Sequence, residues 1–342
     1  MIKIVFYSII PSIHISGLIK ELSKVYDVTF FYMRDISENR KKSGWYFPDF
    51  GSAKVLKYQF EINSAIIDEF DIHIYSGMNA YPEVHDIFKS NIKNNASKHF
   101  IIQESVTYKN RFEMALKMVK YTYFRWKYDS SINGVFSAGG YSFLKRCGFK
   151  HIVDFSYFFN NTFCESMIRE VENKQLKFIY IGEISKRKRI MDFVRQVDSK
   201  DQLLLDIYGK ELDDFIDVES LPSNVNYLGS LAHENVQNKL STYDYLILPS
   251  KQEGFGMVLL EAISSGVGIC ASNIVGSKLY INNNIKSEAV IFCDFSDMKK
   301  TYLEISRLKP LTFEARYELF IQSSCFQPNK GVELMIKEFG IK

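Results

Sequence analysis

This chain of 342 residues has no closely spaced cysteines, no long apolar run and no regular repeat. Its five cysteines are scattered and lack the two-residue spacing of zinc ribbons and thiol redox sites, which favours a reducing compartment. No stretch of about 20 apolar residues occurs, so a membrane-spanning helix is not expected. With 7 prolines and 18 glycines, the composition excludes a fibrous or low-complexity protein. Because the first residues lack a signal-peptide pattern, we expect a cytoplasmic protein.

The chain has enough apolar material for more than one core. Hydrophobic residues make up 46% of it, and its length corresponds to two domains at about 150 residues each. Its net charge of +3 is unevenly distributed. Residues 1–160 hold 21 Lys and Arg against 15 Asp and Glu, whereas the rest of the chain holds 22 against 25. We therefore expect the two halves to meet different partners.

Short apolar segments alternate with stretches long enough for helices. In the first half they cover residues 2–7, 28–32, 71–75, 99–103 and 133–137, and in the second half residues 177–181, 203–208, 225–228, 245–248, 268–271 and 289–292. This alternation predicts an α/β protein with two doubly wound parallel sheets. We place one domain at residues 1–160, a second at 161–330 and a last helix at 331–342, which could pack on either domain.

The densest group of unusual residues follows the predicted strand that ends at Leu248. Glycines allow a tight loop there, and an apolar helix begins near Gly256, so an anion such as a diphosphate could bind at the helix start. Glu253 in the loop and Glu261 in the helix would straddle one pocket and accept hydrogen bonds from neutral hydroxyls. The alternative is a capped helix with two solvated carboxylates.

A run of four cations, residues 186–189, follows another predicted strand and the turn glycine Gly182. Cations at the start of a helix oppose its macrodipole, so the local energetics favour an anion between them. A diphosphate would supply that charge. The alternative is a solvated basic turn.

These residues together resemble glycosyltransferase family 4, within glycosyl transferases group 1. The family carries a Glu-Gly-Phe-Gly segment and a second Glu eight positions after the first, which match Glu253 and Glu261 with Gly254, Phe255 and Gly256. The resemblance covers most of residues 177–275. It implies the GT-B fold, in which two Rossmann-like domains face a central cleft, and retaining transfer of a sugar from a nucleotide-diphosphate donor.

The resemblance also assigns roles. Glu253 would contact the donor sugar, Glu261 the ribose hydroxyls, and Lys188 the diphosphate, with help from Arg187 or Arg189. The turn at Gly182 and the backbone of the helix start would complete the donor site; this backbone belongs to Gly254, Phe255, Gly256, Met257 and Val258. No metal and no cofactor are expected, since the family works without a metal and the chain has no Asp-x-Asp motif.

Two positions depart from the family pattern. Glu183 stands where the family usually has an arginine, so phosphate neutralisation falls to Lys188 and its neighbours. Leu279 occupies the place of a family glutamate, and only Gly276 remains of a paired-glycine loop.

Candidates in the first half are fewer. Glu104 follows a predicted strand at the place where many family members have a histidine, which makes it a candidate catalytic base or sugar ligand on the acceptor side. A helix-capping or surface carboxylate is the alternative. His14 lies in the first loop, where it is either a site residue or merely exposed. His73 alternates with apolar residues and is interpreted as a structural strand residue.

Cations and aromatics interleave over residues 111–128. A helix of this kind can lie on anionic headgroups, which would bring the protein to a lipid-linked acceptor. The alternative is a core helix with snorkelling lysines. Nucleic acid is not expected as a partner, because the chain contains no recognised nucleic-acid module.

The expected function is transfer of a sugar to a saccharide or lipid-linked saccharide, in bacterial surface polysaccharide or lipopolysaccharide assembly. The alternatives are a nucleotide-sugar epimerase of the same architecture and a non-catalytic partner subunit. The second is motivated by Glu183, Leu279 and the missing histidine.

Overall fold

A computed structural model describes residues 1–42, 45–59, 69–78, 81–93, 96–108, 110–160, 175–212 and 218–341. The chain divides into two compact units. The first comprises Met1–Asn160 with Phe326–Lys342, and the second comprises Asn161–Cys325.

The first unit is built on a parallel sheet. Its seven strands are arranged in the order β3-β2-β1-β4-β5-β6-β7. They are β1 (Lys3–Ser8), β2 (Asp27–Tyr32), β3 (Lys54–Lys57), β4 (Ile72–Ser76), β5 (Lys98–Glu104), β6 (Gly134–Ala138) and β7 (Ile152–Asp154). The central strands are buried on both faces, which explains their nearly continuous apolar sequences.

Five helices connect these strands within the described part of the first unit. They are α1 (Ile13–Leu22), α2 (Glu38–Lys42), α3 (Pro82–Asn91), α4 (Arg111–Tyr128) and α5 (Tyr141–Arg146). Side chains cap two of them, since Ser12 accepts a hydrogen bond from the His14 N–H and Asn110 from the Glu113 N–H.

The second unit also has a parallel sheet, with strand order β10-β9-β8-β11-β12-β13. Its strands are β8 (Leu176–Ile181), β9 (Leu203–Tyr208), β10 (Val225–Tyr227), β11 (Tyr245–Leu248), β12 (Gly268–Ser272) and β13 (Val290–Cys293). The order reverses between β8 and β11, as in doubly wound nucleotide-binding sheets.

The described α-helices of the second unit include the one that follows the glycine-containing loop singled out in the sequence. They are α6 (Ile190–Val194), α7 (Val236–Leu240), α8 (Met257–Ser264), α9 (Lys278–Asn284), α10 (Met298–Ile305) and α11 (Phe313–Gln322).

The last helix, α12 (Pro328–Phe339), packs on the first unit, against α1. A Cβ at Gly331 would lie 2.6 Å from the Phe158 ring and 2.8 Å from Leu18, so the close approach requires glycine. Of the two domains on which the predicted last helix could pack, the structure selects the first.

The α/β class with two parallel sheets is confirmed. The predicted strands coincide with described strands to within one or two residues, whereas β3 and β7 were not predicted. Within the parts of the chain that the structure describes, no helix is both long enough and apolar enough to cross a bilayer.

Candidate functional site

The candidate site lies where the strand order of the second sheet reverses. Strands β8 and β11 are neighbours there, and the loops that leave their carboxyl ends are residues 182–189 and 249–256. Ligands of doubly wound sheets bind at such a point, because the loops diverge to opposite faces and leave a crevice. The two segments singled out in the sequence are therefore brought to the same edge of one sheet.

Main-chain contacts join these two loops. The Lys251 N–H donates to the Arg187 carbonyl oxygen at 2.8 Å, and the Arg187 guanidinium donates to the Gln252 carbonyl oxygen at 3.0 Å. A second contact of Arg187, to the Glu183 carboxylate, is longer at 3.7 Å. Arg187 thus holds the loop that follows β11 in place.

Lys188 and Glu253 form an ion pair across these loops. The ammonium group contacts Oε2 of the carboxylate, and the side chains are only 12% and 10% exposed. The Ser250 hydroxyl donates to the same oxygen at 3.1 Å. Burial, and after it the Glu253 charge, raises the pKa of the neighbouring Tyr180 phenol far above its ordinary value. The structure therefore brings together the two residues predicted to act on sugar and diphosphate.

The helix that follows this loop starts after a glycine in the left-handed conformation. Gly256 precedes α8 with φ of 81°, a left-handed conformation that glycine adopts without a Cβ penalty. The carbonyl oxygens of Gly254 and Phe255 accept hydrogen bonds from Gly276 and Ser277 at 2.8 and 3.0 Å. These two hydrogen bonds hold the loop against the segment that follows β12. The Leu259 N–H donates to the Gly256 carbonyl oxygen at 3.0 Å. The first N–H groups of an α-helix in general have no acceptor within the helix and can receive an anion.

Glu261 lies in the second turn of α8 and pairs with His233, which the sequence analysis did not identify. The imidazole Nε2 is 3.3 Å from Oε1, with side-chain exposures of 39% for His233 and 13% for Glu261. The hydrogen bond to Glu261 raises the pKa of His233 above its ordinary value, outweighing the burial that lowers it. No pattern in the sequence relates these positions, because they come from separate strand-to-helix connections.

The other cations of the basic run do not take part in the Lys188–Glu253 ion pair. Arg189 donates to Asp192 at 3.0 Å and to the Phe295 carbonyl oxygen at 2.9 Å. Lys186 and Arg189 line a separate cavity beside the loops that follow β12 and β13. Of the four cations, Lys188 alone contacts either predicted glutamate in the described contacts.

Gly182 lies at the end of β8, where its N–H donates to the Tyr208 carbonyl oxygen at 2.9 Å. Its carbonyl oxygen would be 1.7 Å from a Cβ placed on Gly209, which has φ of 153°. Glycine at 209 therefore allows the ends of β8 and β9 to meet beside the candidate site.

In the first unit, Glu104 ends β5 and contacts Tyr157, whose hydroxyl donates to Oε1. The His14 ring lies 5.4 Å from the Tyr157 ring and 5.1 Å from the Trp45 ring. Burial and the Glu104 charge together raise the pKa of Tyr157. Glu104 and His14, predicted separately, are thus connected through Tyr157.

His73 is a buried strand residue, in line with its interpretation from the sequence. Its Nδ1 lies 3.2 Å from the Tyr7 hydroxyl, and burial lowers its pKa from 6.5 to about 3. It is therefore neutral at physiological pH.

Among the described residues, no three His, Cys, Asp or Glu side chains come together as a metal site would require. Metal-independent activity stays a prediction.

Helix α4 has two apolar faces. Tyr121, Phe124 and Tyr128 are buried in the core of the first unit. The opposite face carries an exposed stripe, which consists of Phe112, Leu116, Val119, Tyr123 and Trp126. The helix therefore packs on the core and also presents apolar residues to solvent, whereas contact with a membrane stays a prediction.

Comparison with known proteins supports the group 1 resemblance. Residues 165–309 match the family model for glycosyl transferases group 1. A stretch of 87 residues, 25% of this chain, is 31% identical to the UDP-N-acetylglucosamine–peptide N-acetylglucosaminyltransferase GtfA subunit of Streptococcus agalactiae. The match spans 17% of the length of that relative. The group 1 prediction is confirmed for residues 165–309, whereas family 4 in particular stays a prediction.

Solved structures share the fold of the whole chain. Anabaena HepE in complex with UDP and glucose matches 99% of this chain and 100% of its own, with a TM-score of 0.67 and 12% identity. The apo lipopolysaccharide outer core galactosyltransferase WaaB matches 98% of this chain and 99% of its own, with a TM-score of 0.65 and 16% identity. At such identities the likeness concerns the fold, and it confirms the predicted GT-B class.

Proposed function

We propose that this chain, whose residues 165–309 carry a glycosyl transferases group 1 domain, is a retaining glycosyltransferase that uses a nucleotide-diphosphate sugar. The observation that carries the proposal is the placement of Lys188, Glu253 and Glu261 around the strand-order reversal of the second sheet. A fold of this class alone does not identify a reaction, so the proposal is supported by the charged groups at the ligand-binding edge of the sheet.

The charges suit a diphosphate leaving group. As the bond between sugar and phosphate breaks, negative charge builds on the diphosphate, and preorganised donors aimed at it lower the barrier. Lys188 contributes an ammonium with three donors, of which Glu253 engages one in the free protein. The remaining donors and the N–H groups at the start of α8 would receive the diphosphate.

The two glutamates suit neutral hydroxyls. Glu253 is fixed by Lys188 and Ser250 and would orient the donor sugar. Glu261 is partly exposed and would accept hydrogen bonds from ribose hydroxyls, which replace or extend its contact with His233. The proposal requires no protein nucleophile, because the acceptor hydroxyl attacks the face that the diphosphate leaves.

The acceptor side is assigned to the first unit. Glu104 would act as a base or sugar ligand, and its contact with Tyr157 holds the carboxylate at the carboxyl end of β5. We place the reaction in the assembly of a bacterial surface polysaccharide or lipopolysaccharide. The structural likeness to a lipopolysaccharide outer core galactosyltransferase supports this setting.

The proposal includes peripheral contact with an anionic membrane, through which a lipid-linked acceptor would be reached. The exposed stripe of α4 supports it, since Val119 and Trp126 are 69% and 70% exposed. Arg111, Lys120 and Lys127 are exposed on the same helix and would meet anionic headgroups.

The test is incubation of the protein with nucleotide sugars in the presence and absence of saccharide and lipid-linked acceptors. Release of nucleoside diphosphate that depends on an acceptor is the expected result. A change in the sugar without an acceptor would instead identify an epimerase. If nothing turns over and nucleotide sugars do not bind, the chain is a non-catalytic partner and the proposal is wrong.

A further inference from the structure

We propose that the second unit binds a phosphorylated monosaccharide in a cavity that adjoins the candidate donor site and shares its two loops. The cavity has a volume of about 540 Å³. This lies within the range of roughly 300–1,000 Å³ that is typical of small-molecule sites. It opens beside the carboxyl ends of β11, β12 and β13, at the edge of the sheet where ligands of such folds bind.

Three cations line this cavity. Lys186 and Arg189 come from the loop after β8, and Lys251 comes from the loop after β11. The basic run is thus shared between two places, since Lys188 contacts Glu253 whereas Lys186 and Arg189 line the cavity. None of Lys188, Glu253 and Glu261 lines it, whereas Ser250, whose hydroxyl donates to Glu253, does.

The backbone conformation of Arg189 supports the assignment of this residue to the cavity and not to the Lys188–Glu253 pair. Among the described residues, Arg189 is the one non-glycine residue with positive φ, at 58°. Such a conformation costs of order 1 kcal/mol and persists only where the surroundings hold it. Here Asp192 and the Phe295 carbonyl oxygen both accept hydrogen bonds from the guanidinium, which fixes it at the cavity wall.

The acidic groups of the cavity are not equivalent. Asp192 already accepts hydrogen bonds from Arg189 and from Arg195, at 3.0 and 2.7 Å. Asp294 accepts a hydrogen bond from the Ser296 N–H at 2.9 Å and another from the Ser296 side chain, and these lower the pKa of its carboxyl and keep it ionised. Its remaining acceptor positions can receive sugar hydroxyls.

The chemistry therefore matches a ligand with one anionic end and one hydroxyl-bearing end. The three cations would bind a phosphate monoester, and Lys and Arg are the side chains that bind phosphate most strongly. Asp294 and the hydroxyls of Ser272 and Ser296 would bind the sugar. An inorganic phosphate would use only the cations, and a neutral sugar only the carboxylate and hydroxyls.

Calorimetric titration with glucose 6-phosphate as the probe tests this inference, with inorganic phosphate and glucose as parallel titrants. We expect saturable binding of glucose 6-phosphate that is at least ten-fold tighter than that of either parallel titrant. Binding should weaken at least ten-fold in a Lys186→Gln/Lys251→Gln variant and in Asp294→Asn. It should stay unchanged in Lys299→Gln/Lys300→Gln, which neutralises two exposed lysines of α10 outside the cavity.

Several results would overturn the inference. If glucose 6-phosphate does not bind saturably at millimolar concentration, the proposed site does not exist. If inorganic phosphate binds with equal affinity, the cavity is a phosphate site only. Competition by UDP, or loss of probe binding in Glu261→Ala, would assign the cavity to the donor site. Thermal unfolding of each variant identifies any that fails to fold, and Asp294→Asn then carries the test. Because the titration needs no turnover, its outcome is independent of the transferase proposal.

Discussion

Both glutamates of the motif are paired with a basic side chain, Glu253 with Lys188 and Glu261 with His233. Their surroundings differ. The Lys188–Glu253 pair is mostly shielded from solvent, whereas His233 is more than a third exposed. Removing one partner of a largely buried ion pair lowers the stability of the protein strongly, because the other charge stays buried without a partner. We therefore expect the loss of one partner to lower the free energy of unfolding more in the Lys188–Glu253 pair than in the His233–Glu261 pair.

Glu261→Ala and Lys188→Ala should each weaken binding of the nucleotide sugar by roughly ten- to a hundred-fold, as expected for lost hydrogen bonds to charged groups. Glu253→Ala should chiefly lower kcat, because its contact is with the sugar that reacts. Calorimetry and steady-state kinetics separate the two effects, with the exposed Glu304→Ala as the matched control. Unchanged binding and turnover in all three variants would refute the site assignment.

The buried His73 should make the first unit sensitive to acid. Its pKa is lowered from 6.5 to about 3, so between these values the unfolded chain binds a proton that the folded chain does not. The free energy of unfolding should fall as the pH falls through this window, by at most about 1.4 kcal/mol per pH unit for this group.

Urea unfolding of the wild type and of His73→Gln between pH 7 and pH 4 measures this contribution. The variant should show a flatter dependence on pH, while the exposed His151→Gln should follow the wild type. Parallel pH profiles for wild type and His73→Gln would contradict the explanation.

At the scale of elements, the two edge strands of the first sheet escaped prediction, whereas its inner strands and all strands of the second sheet were predicted. The buried strand β11 is a continuous apolar run and β8 is apolar apart from Lys177, so the sequence pattern identifies both directly. Strand β3 escaped because it lies at the sheet edge with Lys54, Leu56 and Lys57 exposed, and β7 has only three residues. Edge strands need not be apolar on both faces, so their sequences resemble loops.

The loops that build the site could be located in the sequence, but their contacts could not. Motif spacing identified Glu253, Glu261 and the basic run. It did not reveal that Lys188 alone of that run would contact Glu253, or that His233 would reach Glu261. Such pairings depend on which loops the sheet order places side by side, and local patterns carry no information about that order.

The approach of β8 to β9 should depend on Gly209. Gly209→Ala would place a Cβ 1.7 Å from the Gly182 carbonyl oxygen, so the backbone must shift. We expect a loss of at least about 2 kcal/mol in the free energy of unfolding, measured by urea denaturation. Gly254→Ala is the matched control, because a Cβ there meets nothing within 4 Å and should change stability by less than about 0.5 kcal/mol. Equal effects of the two substitutions would contradict the account of this contact.

The exposed stripe of α4 should mediate binding to anionic vesicles. Each Lys or Arg near an anionic surface contributes about 1 kcal/mol, so neutralising Arg111, Lys120 and Lys127 to Gln should weaken binding by roughly a hundred-fold. Trp126→Ser should also weaken it, because its side chain is 70% exposed and would enter the interface.

Co-sedimentation with phosphatidylglycerol vesicles, compared with phosphatidylcholine vesicles, measures these effects. A variant with three exposed cations of the second unit replaced by Gln, at Lys299, Lys300 and Lys309, is the matched control and should bind like the wild type. If the α4 variants sediment as the wild type does, α4 is not the docking surface.

At the scale of the molecule, the two parts of the chain share one kind of architecture but have net charges of opposite sign. Residues 1–160 have an excess of cations and residues 161–342 have an excess of acids, although the second part holds the basic run. The fold is shared with HepE at 12% identity, so patterns of burial rather than particular residues specify it. The proposed chemistry, by contrast, depends on the few charged side chains at one edge of the second sheet.

The most direct test of the proposed donor site is amide hydrogen exchange across the whole chain, with and without the nucleotide sugar that raises the thermal stability most in a panel. A ligand that binds the folded state slows exchange where it contacts the backbone or stabilises it. We predict slower exchange in residues 182–189 and 249–261, and a loss of this protection in Glu261→Ala. If no nucleotide sugar stabilises the protein, or if protection is confined to other segments, the assignment of the donor site is wrong.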